Sequence, residues 1–211
     1  VSVVDPGVGT DRKSVVLKTK SGHYFVTPDN GTLTLVADEL GVAGVREIDE
    51  AVNRLKNSEK SYTFHGRDVY AYTGARLAAG IISFAEVGRE LEPTVRRMTY
   101  AQPNRDGDVI LGNIPILDVH YGNIWTNIPR ELLMEINPKV LESLLVTITH
   151  GEKIVYAQRI PFVNTFGQVE LGQPVIYIND LLNVALALNQ GDFAADHGIE
   201  SGPDWNITLS R

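Results

Sequence analysis

The sequence predicts an α/β N-terminal domain with a mostly parallel sheet, followed by a C-terminal β-barrel domain. Three observations carry this expectation. Strand-like and helix-like runs alternate through the first half of the 211 residues. Short strand-like runs separated by turn residues fill the second half. A polar stretch with proline and glycine, "RRMTYAQPNRDGD", lies between them. The predicted boundaries are residues 1–95 for the α/β domain, 96–107 for the linker and 108–211 for the barrel.

In the first half, "SVVLKTK" and "HYFVTP" are β-branched and aromatic runs bounded by turn residues, and they read as strands. "PDNG" marks a turn. "TLTLVADEL" reads as a helix that stops at Gly41. "VREI" reads as a further strand and "DEAVNRLKN" as a short helix. In "VYAYTGARLAAGII", the residues Val69, Tyr72, Ala75, Ala79 and Ile82 share one helical face, and Asp68 sits where an N-cap acceptor would sit. The uniformly apolar opening "VSVV" suits a strand covered on both faces. In the second half, "VILGNIPILDVHYGNIW", "LLVTITHG", "KIVYAQRIPFV", "QPVIYIN", "NVALALNQG" and "WNITLS" supply the strands of a small barrel or sandwich.

Composition is that of an ordinary globular protein, 43% hydrophobic and 21% charged. The net charge of −7 argues against a broad basic face for nucleic acid. With no cysteine, disulfides, zinc–thiolate sites and cysteine nucleophiles are excluded. No apolar run reaches the length of a membrane-spanning helix. The expectation is a cytoplasmic protein without membrane or nucleic-acid partners. The first residue is Val1 inside a strand-like run, so the N-terminal part of the first domain is expected to be missing.

Four stretches hold residues capable of chemistry. In "VVDPGVGTDR", Asp5 closes the apolar run, glycines leave room for a ligand, and Arg12 can reach back; a surface ion pair is the plainer alternative. In "TFHGRD", His65 precedes a helix and is the side chain best matched to proton transfer near neutrality, or else a satisfied loop histidine. In "LDVHYGNIWTNI", Tyr121 and Trp125 offer flat faces and Asn123 a donor and an acceptor, although an aromatic-rich strand explains the same pattern. His120 beside Asp118 lacks any metal-ligand spacing, so no metal is expected. Asn179, Asp180, Asn189, Gln190 and Gly191 read as loop and strand-end residues.

Taken in order, "VVDPGVGTDR", "PDNGTL", "TFHGRD" and "YGNIWTNI" resemble the S-adenosylmethionine (SAM) hydroxide adenosyltransferases, SAM hydrolases related to fluorinase and chlorinase. The resemblance runs from Val1 to about Gly198. It implies attack of water on ribose C5′ of SAM, giving adenosine and L-methionine, with SAM as substrate and no cofactor. It implies catalytic roles for Asp5, Arg12 and His65. It places Asp118 at the methionine ammonium, Asn123 at adenine, and Tyr121, Trp125 and Phe166 on the purine face. Asn189 and Gln190 border adenine through their backbone, and Asp180 falls at the methionine end. A homotrimer with the ligand between neighbouring subunits is also implied. The chain departs from the family at Asp180 (usually Ser), Leu182 (usually Gly) and Ala185 (usually Glu), and it lacks an earlier "DFG" strand. Those departures keep a non-catalytic adenosine- or SAM-binding protein open as an alternative, with a SAM-dependent halogenase behind it.

Overall fold

The computed structural model describes all residues, Val1–Arg211. The chain forms two compact units, Val1–Thr99 and Tyr100–Arg211.

In the first unit, β1 (Ser14–Thr19) and β2 (Tyr24–Pro28) form a hairpin. Helix α1 (Thr34–Leu40) then carries the chain to β3 (Val42–Glu47), and β4 (Glu90–Leu91) adds a short edge. The sheet order is β2-β1-β3-β4, and every pairing is antiparallel. This corrects the expected mostly parallel sheet. The tight β1–β2 turn forces antiparallel pairing, because parallel neighbours need a long crossover. The β2–α1–β3 crossover does exist, but β1 occupies the space between its two strands.

Val15 and Leu17 pack with Leu33, Ala37 and Val45 on one face of the sheet. Val16 packs with Val26, Val69, Tyr70 and Ile82 on the other. The strand covered on both faces is therefore β1. The opening "VSVV" forms no strand, and Val1, Val3 and Val4 are exposed.

Two helix expectations also change. "DEAVNRLKN" folds as turns, not a helix. After His65 the chain makes a π-helical turn, Gly66–Ala71, before α2 (Tyr72–Ala78). The wider π turn shifts the phase of the buried face. Val69, Tyr70 and Thr73 are buried, while Ala75 and Ala79 are exposed. Asp68 lies inside the first turn rather than at its cap.

The second unit contains β5 (Asn104–Asp106), β6 (Val109–Ile114), β7 (Ile116–Asp118) and β8 (Asn123–Pro129), followed by α3 (Arg130–Met134). Strands β9 (Ser143–His150), β10 (Lys153–Pro161), β11 (Pro174–Ile178) and β12 (Asn183–Leu188) come next. Helix α4 (Phe193–His197) and β13 (Gly202–Ser210) complete it. The strands form two antiparallel sheets, β10-β9-β13-β6-β5 and β11-β12-β8-β7. They share one core, built from alternate residues such as Ile110, Ile124, Val146, Ile148, Leu186 and Ile207.

The unit is not a closed barrel, which corrects the second part of the predicted fold. Pro115 separates β6 from β7 and cannot donate to a ladder, so the chain leaves one sheet and enters the other there. At the opposite side only an isolated Phe162–Ile176 bridge links the sheets. No helix is long and apolar enough to cross a membrane.

Candidate active site

The chain folds Arg12 back onto Asp5 through a tight loop. Thr10 donates to the Gly7 carbonyl from both its N–H (3.1 Å) and its hydroxyl (2.6 Å). Gly9 takes a left-handed φ of 78°, which glycine adopts without strain. Asn30 pins the approach by donating to the Val4 carbonyl at 2.7 Å. Arg12 then meets the Asp5 carboxylate in a fork, Nε to Oδ1 at 2.8 Å and Nη2 to Oδ2 at 2.5 Å. Both side chains are over nine-tenths buried, with 7% and 6% exposure for Arg12 and Asp5.

The same guanidinium reaches two more groups. Nη1 donates to Ser14 Oγ at 3.0 Å, and Nη2 lies 3.2 Å from His65 Nδ1. Ser14 Oγ is in turn 3.0 Å from the Tyr70 hydroxyl. Arg12, with its Cζ 5.7 Å from the Tyr70 ring centroid, thus links an acid, an imidazole and a phenol from distant parts of the chain. Burial opposes the charge on Arg12, but the Asp5 hydrogen bonds and the nearby Asp5 and Glu50 carboxylates hold its pKa above the ordinary arginine value. Burial pushes the Tyr70 phenol up, against the pull of its Ser14 hydrogen bond.

His65 is itself buried, 7% exposed, at the start of the π-helical turn. Its other ring nitrogen, Nε2, lies 3.1 Å from Arg54 Nη2. Arg54 also pairs with Glu50 at 2.6 Å and packs over the Tyr62 ring at 5.0 Å. Arg54 was missing from the sequence reading. Glu50 and Arg54 stand four apart in a stretch read as an ordinary helix, so nothing in the spacing pointed to His65. A polar cavity of about 600 Å3 adjoins this pair, lined by Glu50, Arg54, Lys56, Glu59 and Tyr62 among others. Asp5, Arg12 and His65 do not line it. Beside His65, the buried Asp68 carboxylate is forked by Arg67 at 2.6 and 3.1 Å, which holds it below the usual carboxylate range.

The second unit holds a different kind of site. A cavity of about 590 Å3 is lined by Asp118, Tyr121, Asn123, Phe166, Tyr177, Leu188, Asn189, Gln190 and Gly191. Six of the eight sequence-predicted binding residues meet there. Asp118 closes β7, and Asn123 opens β8 and donates to Asp118 Oδ2 at 3.4 Å. Between them Gly122 takes a left-handed φ of 67°, and a Cβ there would stand 2.1 Å from the Asp192 carboxylate that caps α4. Asn189 donates its side-chain amide to the Val169 and Glu170 carbonyls at 2.9 and 3.3 Å, fastening the loop that presents Phe166.

The remaining two predicted residues do not line it. Trp125 lies behind the wall, where its indole acts on the Tyr177 phenol. Asp180 is exposed on the β11–β12 turn, beside Leu182 at a φ of 60°. In their place stands Tyr177, which sequence reasoning missed. Its ring lies 4.9 Å from that of Phe166 at 52°. Burial, reinforced by the charges of Asp118 and Asp180, pushes its phenol up against the opposing hydrogen-bond influence of Trp125 and Asn123. Its signal was only the alternation of "PVIYI", which is shared by any half-buried strand.

The SAM hydroxide adenosyltransferase N-terminal domain matches residues 1–88, and the C-terminal domain of the same family matches residues 112–206. An (R)-S-adenosyl-L-methionine hydrolase of Methanocaldococcus jannaschii is 36% identical over 79% of this chain, which spans 55% of that protein. Another, of Salinispora tropica, is 34% identical over 99% of this chain and 74% of its own length. A fluorinase of Actinoplanes is 30% identical over 90% of this chain and 63% of its own. The crystal structure of an uncharacterized conserved protein from Thermotoga maritima superposes with a TM-score of 0.85 at 34% identity, covering 99% of this chain and 75% of that one. The chain belongs to the SAM hydroxide adenosyltransferase family.

Proposed function

We propose that the protein is a SAM hydrolase, which adds water to ribose C5′ of SAM and releases adenosine and L-methionine. The observation that carries this reading is the single guanidinium of Arg12 bonded to both the Asp5 carboxylate and the His65 ring. The leaving sulfur departs as a neutral thioether and needs no proton. Water is a weak nucleophile and must be held in line while it loses one. A carboxylate fixed by an arginine beside an imidazole can hold it, and such positioning supplies much of the acceleration in reactions of this kind. A positioned base typically contributes about 10²–10⁴-fold.

The cavity of the second unit fits the other task. Phe166, Tyr177 and Tyr121 present aromatic surface suited to a purine, with Asn123 and the Asn189–Gly191 backbone at its edge and Asp118 suited to an ammonium group. One protomer would supply the Asp5 cluster and a neighbour the aromatic cavity, in a homotrimer. No organic or metal cofactor enters this reading.

The test is release of adenosine and methionine from SAM by the full protein, with Asp5→Ala and His65→Ala as controls. Turnover lost in both variants is expected. Tight binding of adenosine without turnover would replace the reading with a non-catalytic SAM- or adenosine-binding protein. A halide-dependent 5′-halo product would replace it with a halogenase.

A further inference from the structure

The hydrogen bonds around His65 bear on which group takes the proton from the attacking water. A neutral imidazole carries one N–H and one lone pair, and an imidazolium carries no lone pair. Here Arg12 Nη2 lies 3.2 Å from Nδ1 and Arg54 Nη2 lies 3.1 Å from Nε2. Two guanidinium donors thus compete for at most one acceptor. In neither tautomer is a ring nitrogen left with a lone pair directed at water.

Asp5 is different. A carboxylate offers about four lone-pair positions. Arg12 uses one on each oxygen. Asp5 therefore keeps acceptor capacity that His65 lacks.

Arg54 is anchored on one side by Glu50 and the Tyr62 ring and on the other by His65. Its side chain is 9% exposed, its Nη2 is divided between Glu50 and His65, and its Nη1 is buried without a partner. An arginine held there at the cost of an unsatisfied donor is placed for the contact it makes.

We propose that Arg54 is a positioning residue that occupies His65 Nε2, so that His65 bridges two arginines and Asp5 accepts the proton of the nucleophile. This rests on the SAM hydrolase reading. In the step itself, a water lone pair forms the O–C5′ bond. The C5′–S pair leaves on sulfur as the thioether of methionine, and the water proton passes to the Asp5 carboxylate. The groups facing His65 are Arg12 from the opening segment and Arg54 from the 49–58 turns, with Asp68 of the π-helical turn acting on it through charge; Asp5 and Glu50 are bonded to those two arginines.

The experiment compares the full-length wild type with Arg54→Met, Arg54→Lys, Asp5→Asn and His65→Gln. Steady-state SAM hydrolysis across pH is measured together with ring 15N resonances of labelled histidine. Arg54→Met is expected to lower kcat about 10- to 100-fold with KM little changed. Freeing Nε2 is expected to change the shape of its pH profile. Arg54→Lys restores a donor and should recover part of kcat and the wild-type profile. Asp5→Asn should lose more kcat than His65→Gln. The His65 ring resonances should move in Arg54→Met and return toward wild type in Arg54→Lys.

Wild-type kcat, pH profile and His65 resonances in Arg54→Met would overturn the proposal. A larger loss in His65→Gln than in Asp5→Asn would overturn the assignment of the proton to Asp5. If the wild type releases no adenosine from SAM, the hydrolase reading fails on its own, and the ring resonances alone decide whether Arg54 holds His65.

Discussion

The two units solve opposite physical problems. The Asp5–Arg12–His65 cluster buries charge, and nearly every polar atom in it is spoken for by another. The cavity of the second unit instead leaves surface unused: Tyr121 is 72% exposed and Phe166 38%. A buried, mutually bonded set of charges has fixed directions, which chemistry needs. An open aromatic surface can gain favourable contact when a flat ligand covers it, which binding needs. The proposed division of reaction and recognition between the two units then predicts that a substitution damages one without the other.

The sharpest way to break that separation is Asp5→Asn. It keeps the shape of the side chain and removes the charge that Arg12 forks. A fall in kcat of about 10²–10⁴-fold is expected, with adenosine affinity unchanged by calorimetry. Equal loss of affinity would mean that the two tasks are not separable.

Gly122→Ala attacks the second unit. Its φ of 67° and the 2.1 Å approach to Asp192 leave no room for a Cβ. Left-handed strain alone costs about 1–2 kcal/mol, and loss of the Asp192 cap adds to it. A lowered urea midpoint and weakened SAM binding are expected, with the Asp5 cluster intact.

Phe166→Ala removes one aromatic wall of the cavity and its contact with Tyr177. Aromatic pairing is worth about 0.5–1.5 kcal/mol beyond area, so KM should rise up to about tenfold while kcat holds. A change in kcat alone would sink the assignment of the cavity to binding.

The smallest effects separate the units by pH. Asp68 has its folded-state pKa below the ordinary carboxylate value because Arg67 forks it. Its contribution is present above the unfolded value and is lost as pH falls through the folded one. Tyr156 is pushed up from 10.0 to about 12 by burial. Its contribution is complete below the unfolded value and is lost as pH rises toward about 12. Thermal melts should therefore show an acid limb weakened by Asp68→Asn and an alkaline limb weakened by Tyr156→Phe. Limbs unaffected by either change would contradict both assignments.

Much of this organisation was readable from residue order because strands announce themselves by alternation. The runs "SVVLKT", "SLLVTITH" and "NVALAL" stand in the structure as β1, β9 and β12. Pairing was not readable. Alternation says that a strand has a buried face but not which neighbour it joins, so β1 intruding between β2 and β3 turned an expected parallel sheet antiparallel. Pro115 similarly decided sandwich over barrel, through a donor it lacks rather than a pattern it makes.

At the site, the four family motifs were legible in the sequence, and the family match bears out the resemblance. The contact of Arg54 with His65 was not legible, because it depends on turns at residues 49–58 whose composition imitates a helix. Tyr177 was hidden for the complementary reason. An aromatic in a strand looks the same whether it faces the core or a ligand.

The central claim is that water oxygen becomes bonded to ribose C5′ of SAM. The direct measurement is turnover of SAM by the full protein in 18O-labelled water, with mass analysis of both products. The account predicts label in the 5′-hydroxyl of adenosine and none in methionine. Unlabelled adenosine, or no adenosine at all, would contradict it.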